Sequence, residues 1–228
     1  MQLAGIQKLT LVDFPGHVAA TVFARGCSFR CGFCHNPELV LPDQFNLLLD
    51  NKQLFDFLKN RYGKLTGICI TGGEPLLQPD CDKFISHMKA LGFDVKLDTN
   101  GSFPDRLEKI IKDGDVDYIA MDIKSPIDKY QMVTGVENSG ESIRKSIRLI
   151  MESGIDYEFR TTVCHPYHKA ADFEEIGKMI KGAKRYFLQN FVRTKQIDES
   201  VDFSFLTDEE IEQAKKIMEK YVKAVEIR

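Results

Sequence analysis

The chain has 228 residues, which is long enough for one compact domain with a substantial core. It carries 31 Lys and Arg residues against 34 Asp and Glu residues, so no overall basic field predicts a nucleic-acid or anionic-membrane partner. No basic and apolar leader and no apolar run of membrane-spanning length occurs, which predicts a cytoplasmic protein without membrane contact. In that reducing compartment, the six cysteines are expected to be thiols or metal ligands rather than disulfides.

Apolar, β-branched runs alternate along the chain with segments whose apolar positions have helical spacing. The predicted strands are 17–24, 67–71, 93–98, 118–124, 157–163 and 185–192. The predicted helices are 51–62, 80–91, 105–113, 139–153, 171–181 and a terminal helix within 206–221, which Thr207 and Glu210 open as a capping box. This α/β alternation predicts parallel strands joined by right-handed crossovers, in an open sheet or in a complete or partial barrel. We expect a single domain over 1–228, with a core of about 17–192 and a C-terminal extension of about 193–228.

Three cysteines lie in one short loop directly after the first of these strands, at Cys27, Cys31 and Cys34. A parallel α/β fold places its reactive loops at this end of its strands. Four cysteines would saturate a cubane cluster, whereas three leave one iron open to a cofactor or substrate. The pattern therefore indicates an open iron–sulfur site.

Other interpretations fit the cysteine loop less well. Cys31 to His35 satisfies the C-x-x-C-H haem-attachment pattern, but covalent haem accompanies export and leaves Cys27 unexplained. A zinc site of the three cysteines and His35 has suitable ligand types, but His35 directly follows Cys34, an awkward spacing for a shared tetrahedron. A buried trio of unliganded thiols is the remaining alternative. No second cluster is predicted from the other, scattered cysteines, Cys69, Cys81 and Cys164.

The later strands end in glycine, polar or cationic residues. The pair Gly72–Gly73 would let a backbone approach a ligand closely, although a segment of this kind, taken alone, is more often a strand-end turn. The segment 98–101 also has the composition of a simple turn. Lys124 and Arg160 stand where a parallel sheet gathers its ligands, although isolated cations at strand ends are commonly solvated.

The C-x3-C-x2-C spacing, with an aromatic residue before the last cysteine, resembles the signature of the radical S-adenosylmethionine (SAM) superfamily. The strings Gly5–Lys8, Val12–Gly16 and Cys34–Glu38 resemble the activating enzymes of glycyl-radical proteins. Among these, the similarity is greatest to the family that activates anaerobic ribonucleoside-triphosphate reductase, as far as about Val192. The resemblance implies a partial (β/α)6 TIM-like barrel, here with a C-terminal helical extension.

The resemblance also implies the components of the site. Cys27, Cys31 and Cys34 would hold a [4Fe–4S] cluster, and SAM would bind its open iron. The implied SAM-binding residues are Phe33, His35, Gly72, Gly73, Glu74, Asn100, Lys124 and Arg160. Among them, Gly72 and Gly73 would receive the amino group of SAM, and Lys124 and Arg160 its carboxylate. The implied ligands of a monovalent cation are Asp98, Thr99 and Asp122. Asp13 is either a turn residue or a catalytic contact to the substrate.

The implied reaction is reductive cleavage of SAM by an electron from a flavodoxin- or ferredoxin-like donor. The resulting 5′-deoxyadenosyl radical would remove hydrogen from a glycine of a partner, anaerobic ribonucleotide reductase. A second hypothesis is a radical SAM enzyme acting on a small molecule, as the related deazaguanine-forming enzymes do. A third is an iron–sulfur electron carrier that never cleaves SAM.

Overall fold

A computed structural model describes residues 1–193 and 195–228. Within this part of the chain, eight strands form one sheet whose spatial order is the order of the sequence. The strands are β1 (Leu3–Thr10), β2 (Ala19–Ala24), β3 (Gly67–Gly72), β4 (Asp94–Thr99), β5 (Tyr118–Asp122), β6 (Asp156–Val163), β7 (Tyr186–Asn190) and β8 (Val225–Ile227). β1 runs antiparallel to β2, and every later neighbour in the sheet is parallel.

Helices connect the parallel strands, as crossovers of this kind require. They are α1 (Pro37–Val40), α2 (Asn51–Lys59), α3 (Cys81–Ala90), α4 (Pro104–Asp113), α5 (Tyr130–Thr134), α6 (Gly140–Glu152), α7 (Ala170–Met179) and α8 (Asp208–Met218). α8 opens with the predicted capping box, in which Thr207 Oγ1 accepts from the Glu210 N–H at 3.3 Å and Glu210 Oε2 accepts from the Thr207 N–H at 2.9 Å. No helix in the described ranges is long and apolar enough to cross a membrane.

The six predicted strands are confirmed, with ends that move by up to two residues. The sheet, however, is wider than the six strands predicted, because β1 and β8 extend its two edges. β1 contains exposed polar residues on an antiparallel edge, and β8 has only three residues, so neither has the apolar run of a buried strand. The C-terminal extension is therefore not purely helical.

The two faces of the sheet differ in polarity. On β4, Val95 and Leu97 are fully buried in the apolar core, whereas Lys96 and Asp98 alternate with them and point to the opposite face. Arg160 on β6 reaches Asp98 across the intervening β5, a contact that only the concave face permits. The fold is thus an open, partial barrel with a charged interior, and β1 and β8 form its edges.

Candidate active site

A cleft of about 280 Å³ lies at the carboxyl ends of the parallel strands. It brings together the three cysteines and every implied SAM or cation residue except Glu74. This convergence follows from the topology, because parallel strands deliver their carboxyl ends to one edge of the sheet. Asp13 is not part of this cleft. It lies on a neighbouring cavity that shares Asp98 and Arg160 with it, and its Oδ2 accepts from Thr21 Oγ1 at 2.6 Å.

The cysteine loop has the chemistry that a cluster needs. Cys27 Sγ accepts from the Phe29 N–H at 3.4 Å and from Asn100 Nδ2 at 3.6 Å. Burial raises the pKa of Cys27 to about 11 and that of Cys31 to about 12. Without a metal these thiols therefore stay protonated, whereas bound iron would remove their protons. The hydrogen bonds to Cys27 would then stabilise its thiolate.

The three cysteines and His35 are not arranged as the ligands of a single zinc ion. In residues 1–193 and 195–228, no three His, Cys, Asp or Glu side chains converge on a position suited to a single metal ion. A cubane has a different requirement, because each of its thiolate ligands binds a different iron. His35 instead stacks on Phe191, with ring centroids 5.4 Å apart, and burial followed by repulsion from Lys124 lowers its pKa. The donor set thus fits a three-cysteine cluster.

Gly72 and Gly73 line the cleft, but the close approach that requires glycine is made by the chain itself. A Cβ on Gly72, whose φ is +120°, would lie 2.4 Å from the Ala24 nitrogen, and one on Gly73 would lie 2.0 Å from the Gly26 carbonyl oxygen. The Gly73 N–H also donates to the Ala24 carbonyl at 2.9 Å. Glycine at these positions therefore seats the start of the cysteine loop against the end of β3. Any contact with SAM comes in addition to this packing.

Glu74 lies beneath the cleft and joins two strand ends. Its fully buried carboxylate accepts from the Leu76 N–H at 3.0 Å, from Thr99 Oγ1 at 2.9 Å and from the Asn100 N–H at 2.6 Å. Burial raises its pKa to about 7, although these three donors act in the opposite direction. Glu74 thus holds the segment after β4 against the segment after β3.

Lys124 is fixed through both its side chain and its backbone. Its ammonium pairs with Asp122 at 2.9 Å. Burial opposes the charged form, but the attraction of Asp122 outweighs it and raises the pKa of Lys124. The Lys124 N–H donates to the Tyr130 hydroxyl at 3.1 Å, and its carbonyl lies 2.9 Å from Nε2 of the buried His168. Lys124 is therefore a permanently charged group held at the rim beside the cysteines.

Phe33 is 3 % exposed and packs edge-on against Tyr167 and Phe203. Its ring therefore belongs to an aromatic cluster below the cysteine loop.

The C-terminal extension also reaches the cysteine loop, which was not predicted from the sequence. The Gly32 carbonyl accepts from the Ile197 N–H at 2.9 Å and from the Asp198 N–H at 3.1 Å. No sequence signal marked that contact.

Asn36 of the cysteine loop and three polar strand residues of the cleft were also missed; the strand residues are Thr71, Thr162 and Gln189. Each stands near the carboxyl end of its strand, with the parity of a residue that points to the concave face. The alternation of side chains along a strand could have predicted these residues, but only after the ends of each strand were known.

The open barrel gathers three cysteines and the cationic side chains of Lys124 and Arg160 at one rim. Residues 21–180 match the radical SAM superfamily. The chain therefore belongs to the radical SAM superfamily and is an enzyme of that class, with a [4Fe–4S] cluster and SAM as its cofactors.

Its relatives narrow the family to activating enzymes of glycyl-radical enzymes. A candidate glycyl-radical enzyme activating enzyme of Methanocaldococcus jannaschii is 32% identical over 234 residues, which cover 99% of this chain and 95% of the relative. A pyruvate formate-lyase-activating enzyme of Clostridium pasteurianum is 33% identical over 150 residues. That alignment covers 61% of this chain and 59% of the relative, so it spans only part of each protein.

Solved structures share the fold at low sequence identity. TYW1 with a lysine-pyruvate adduct bound has a TM-score of 0.63 at 18% identity, covering 91% of this chain and 76% of TYW1. Streptococcus suis SuiB bound to precursor peptide SuiA has a TM-score of 0.68 at 13% identity, covering 90% of this chain and 48% of SuiB. At these identities the likeness establishes the architecture.

Proposed function

We propose that this protein generates a glycyl radical on a partner enzyme, and that the partner is anaerobic ribonucleoside-triphosphate reductase. The observation that carries the proposal is the cleft that joins Cys27, Cys31 and Cys34 to Lys124 and Arg160, in a chain with a full-length relative named for this activity. The choice of reductase as partner rests on the N-terminal strings and on Cys34–Glu38, which resemble its activating family.

Each residue set has one task in this proposal. The three cysteines hold the cluster, and Lys124 and Arg160 bind the carboxylate of SAM by charge-assisted hydrogen bonds. Held there, the cluster would supply one-electron reduction of SAM, with the electron coming from a flavodoxin- or ferredoxin-like protein. Gly72, Gly73 and Asn100 position SAM, while the buried rings of Phe29 and Phe33 exclude water from the cleft.

A protein substrate is supported by the open side of the barrel. The turn between β1 and β2 exposes Leu11 and Val12, which are 70% and 79% accessible. Val12 and Asp13 line the cavity that adjoins the SAM cleft. Leu11 and Val12 would supply apolar contact area for a partner protein beside this cavity. Asp13 is the group we assign to the entering glycine segment.

The test is to mix the anaerobically reconstituted protein, dithionite and SAM with a candidate anaerobic ribonucleotide reductase and to record the electron paramagnetic resonance spectrum. The expected result is the doublet of a glycyl radical, which disappears when the glycine of the reductase is changed to alanine. SAM cleavage without any such signal would favour a small-molecule substrate. The absence of SAM cleavage would leave only an electron carrier.

A further inference from the structure

Five charged side chains form a continuous series of ion pairs on the concave face, in the order Lys96, Asp98, Arg160, Asp122, Lys124. Lys96 pairs with Asp98 Oδ1, and Arg160 Nη2 lies 2.9 Å from Asp98 Oδ2. Arg160 Nε pairs with Asp122 Oδ1, and Lys124 Nζ lies 2.9 Å from Asp122 Oδ2. Every carboxylate oxygen of the two aspartates therefore accepts from a cationic side chain.

This donor set does not fit the monovalent cation that the resemblance implies at Asp98, Thr99 and Asp122. A hard cation needs oxygen ligands that are turned toward it. Each of the four aspartate oxygens is paired with a cationic side chain, which leaves the Thr99 hydroxyl, a donor to Glu74 Oε1 at 2.9 Å, as the one oxygen of the three side chains without a cationic partner. The Lys96 ammonium already stands at Asp98 and would repel a second positive charge there.

Lys96 is buried and is held in place by its neighbours. Its side chain is 2% exposed, and its ammonium also lies 3.9 Å from Cys69 Sγ and 5.9 Å from the centroid of the Tyr118 ring. A buried ammonium is costly unless it is paired, and Asp98 is its anionic partner. Burial alone would raise the pKa of Asp98, but Arg160 and Lys96 together lower it. Asp98 is thus ionised at neutral pH.

Lys96 determines the net charge of this series of ion pairs. Three cationic side chains face two carboxylates, which leaves one net positive charge to meet the single carboxylate of SAM. Without Lys96 the group would be neutral, and an added cation would be needed to restore that charge. We propose that Lys96 replaces a bound monovalent cation, as a positioning residue that holds Asp98 and leaves Arg160 attractive to SAM. This inference rests on the proposed SAM site.

The test measures SAM affinity of the cluster-loaded protein by calorimetry, in potassium chloride and in tetramethylammonium chloride at equal ionic strength. The wild-type protein should bind SAM equally well in both salts. Lys96→Met keeps the length and the apolar stem but removes the charge. It should bind SAM about ten-fold more weakly in tetramethylammonium, because Asp98 would then neutralise Arg160 and weaken its charge-assisted contact to SAM, and it should regain affinity in potassium.

Two variants calibrate the measurement. Lys89→Met removes an ion pair with Asp117 outside the cleft and should behave as wild type. Lys124→Ala removes a proposed SAM ligand and should lose affinity in both salts. Iron content and thermal unfolding of each variant check that it is folded and loaded.

A potassium requirement in the wild-type protein would overturn the inference, and so would a folded Lys96→Met variant with wild-type affinity in both salts. If Lys96→Met does not fold, the test rests on the SAM affinity of the wild-type protein in the two salts, where a potassium requirement contradicts the inference. Failure of the wild-type protein to bind SAM in either salt would instead contradict the proposed function.

Discussion

Cys27, Cys31 and Cys34 differ from the other cysteines in their surroundings. All three line the cleft, whereas Cys69 is fully buried inside β3. We predict that replacing any one of the three by Ser abolishes stable cluster loading, because only two thiolates would remain for four irons. Iron and acid-labile sulfide after anaerobic reconstitution measure the effect.

Cys69→Ala is the matched control and should keep its full iron content, since its thiol faces the barrel interior beside Asp98 and lies outside the cleft. Full and stable loading in all three Ser variants would show that another set of residues holds the cluster.

At the scale of residues, functional groups that lie close together in the sequence could be predicted, whereas those brought together by tertiary contacts could not. The cysteine loop is local, so its spacing alone indicated its chemistry. Lys96 stands within a run otherwise typical of a buried strand. Its partner Asp98 lies two positions away, but Arg160, which completes the series, reaches it only because β4 and β6 flank β5. That alignment has no signature in one sequence.

Glu74 acts between elements, because it ties the end of β3 to the end of β4. Since its pKa is raised to about 7, its proton is lost only near neutral pH. The ionised carboxylate accepts from three donors, whereas the protonated form would place its own hydrogen among them and weaken at least one of these hydrogen bonds. We therefore predict that SAM affinity rises about three-fold between pH 6 and pH 8, or ~0.6 kcal/mol, within the net contribution of one hydrogen bond. Calorimetric titrations across this range measure the change.

The free amino group of SAM also titrates near this pH range, so a variant must isolate Glu74. Glu74→Gln keeps the shape of the side chain but cannot ionise, and its amide would face an N–H or O–H donor. Its SAM affinity should be lower than that of wild type at pH 8 and should lack the part of the rise that Glu74 causes. Identical pH profiles for both proteins would exclude this role.

Long apolar strands and periodic helices were predictable because each repeats its pattern over several residues. β8 and α5 have three and five residues, too few to show a period. β1 carries Gln7 and Lys8 on an antiparallel edge, where a strand needs no continuous apolar run. The secondary structure of β1, β8 and α5 could therefore not be predicted from the sequence pattern and is seen only in the folded chain.

At the scale of the molecule, the open sheet connects the cleft with the outside. Its charged interior reaches from the cleft lined by the three cysteines to the cavity lined by Asp13, and Asp98, Arg160 and Gln189 belong to both. The partial barrel was implied by family resemblance, because alternating strands and helices alone also fit a flat open sheet. Its openness accounts for how a chain of 228 residues could act on a glycine carried by a larger protein.

In the proposed reaction, a hydrogen atom passes from a glycine Cα of the partner to the carbon of SAM that becomes the 5′-methyl group of 5′-deoxyadenosine. The direct measurement uses anaerobic ribonucleotide reductase labelled with α-deuterated glycine, together with unlabelled SAM, the reconstituted protein and dithionite. Mass spectrometry of the 5′-deoxyadenosine should show one added deuterium, and the label should be absent when the reactive glycine is replaced by alanine. Abundant 5′-deoxyadenosine without deuterium, formed beside an intact labelled partner, would contradict the account.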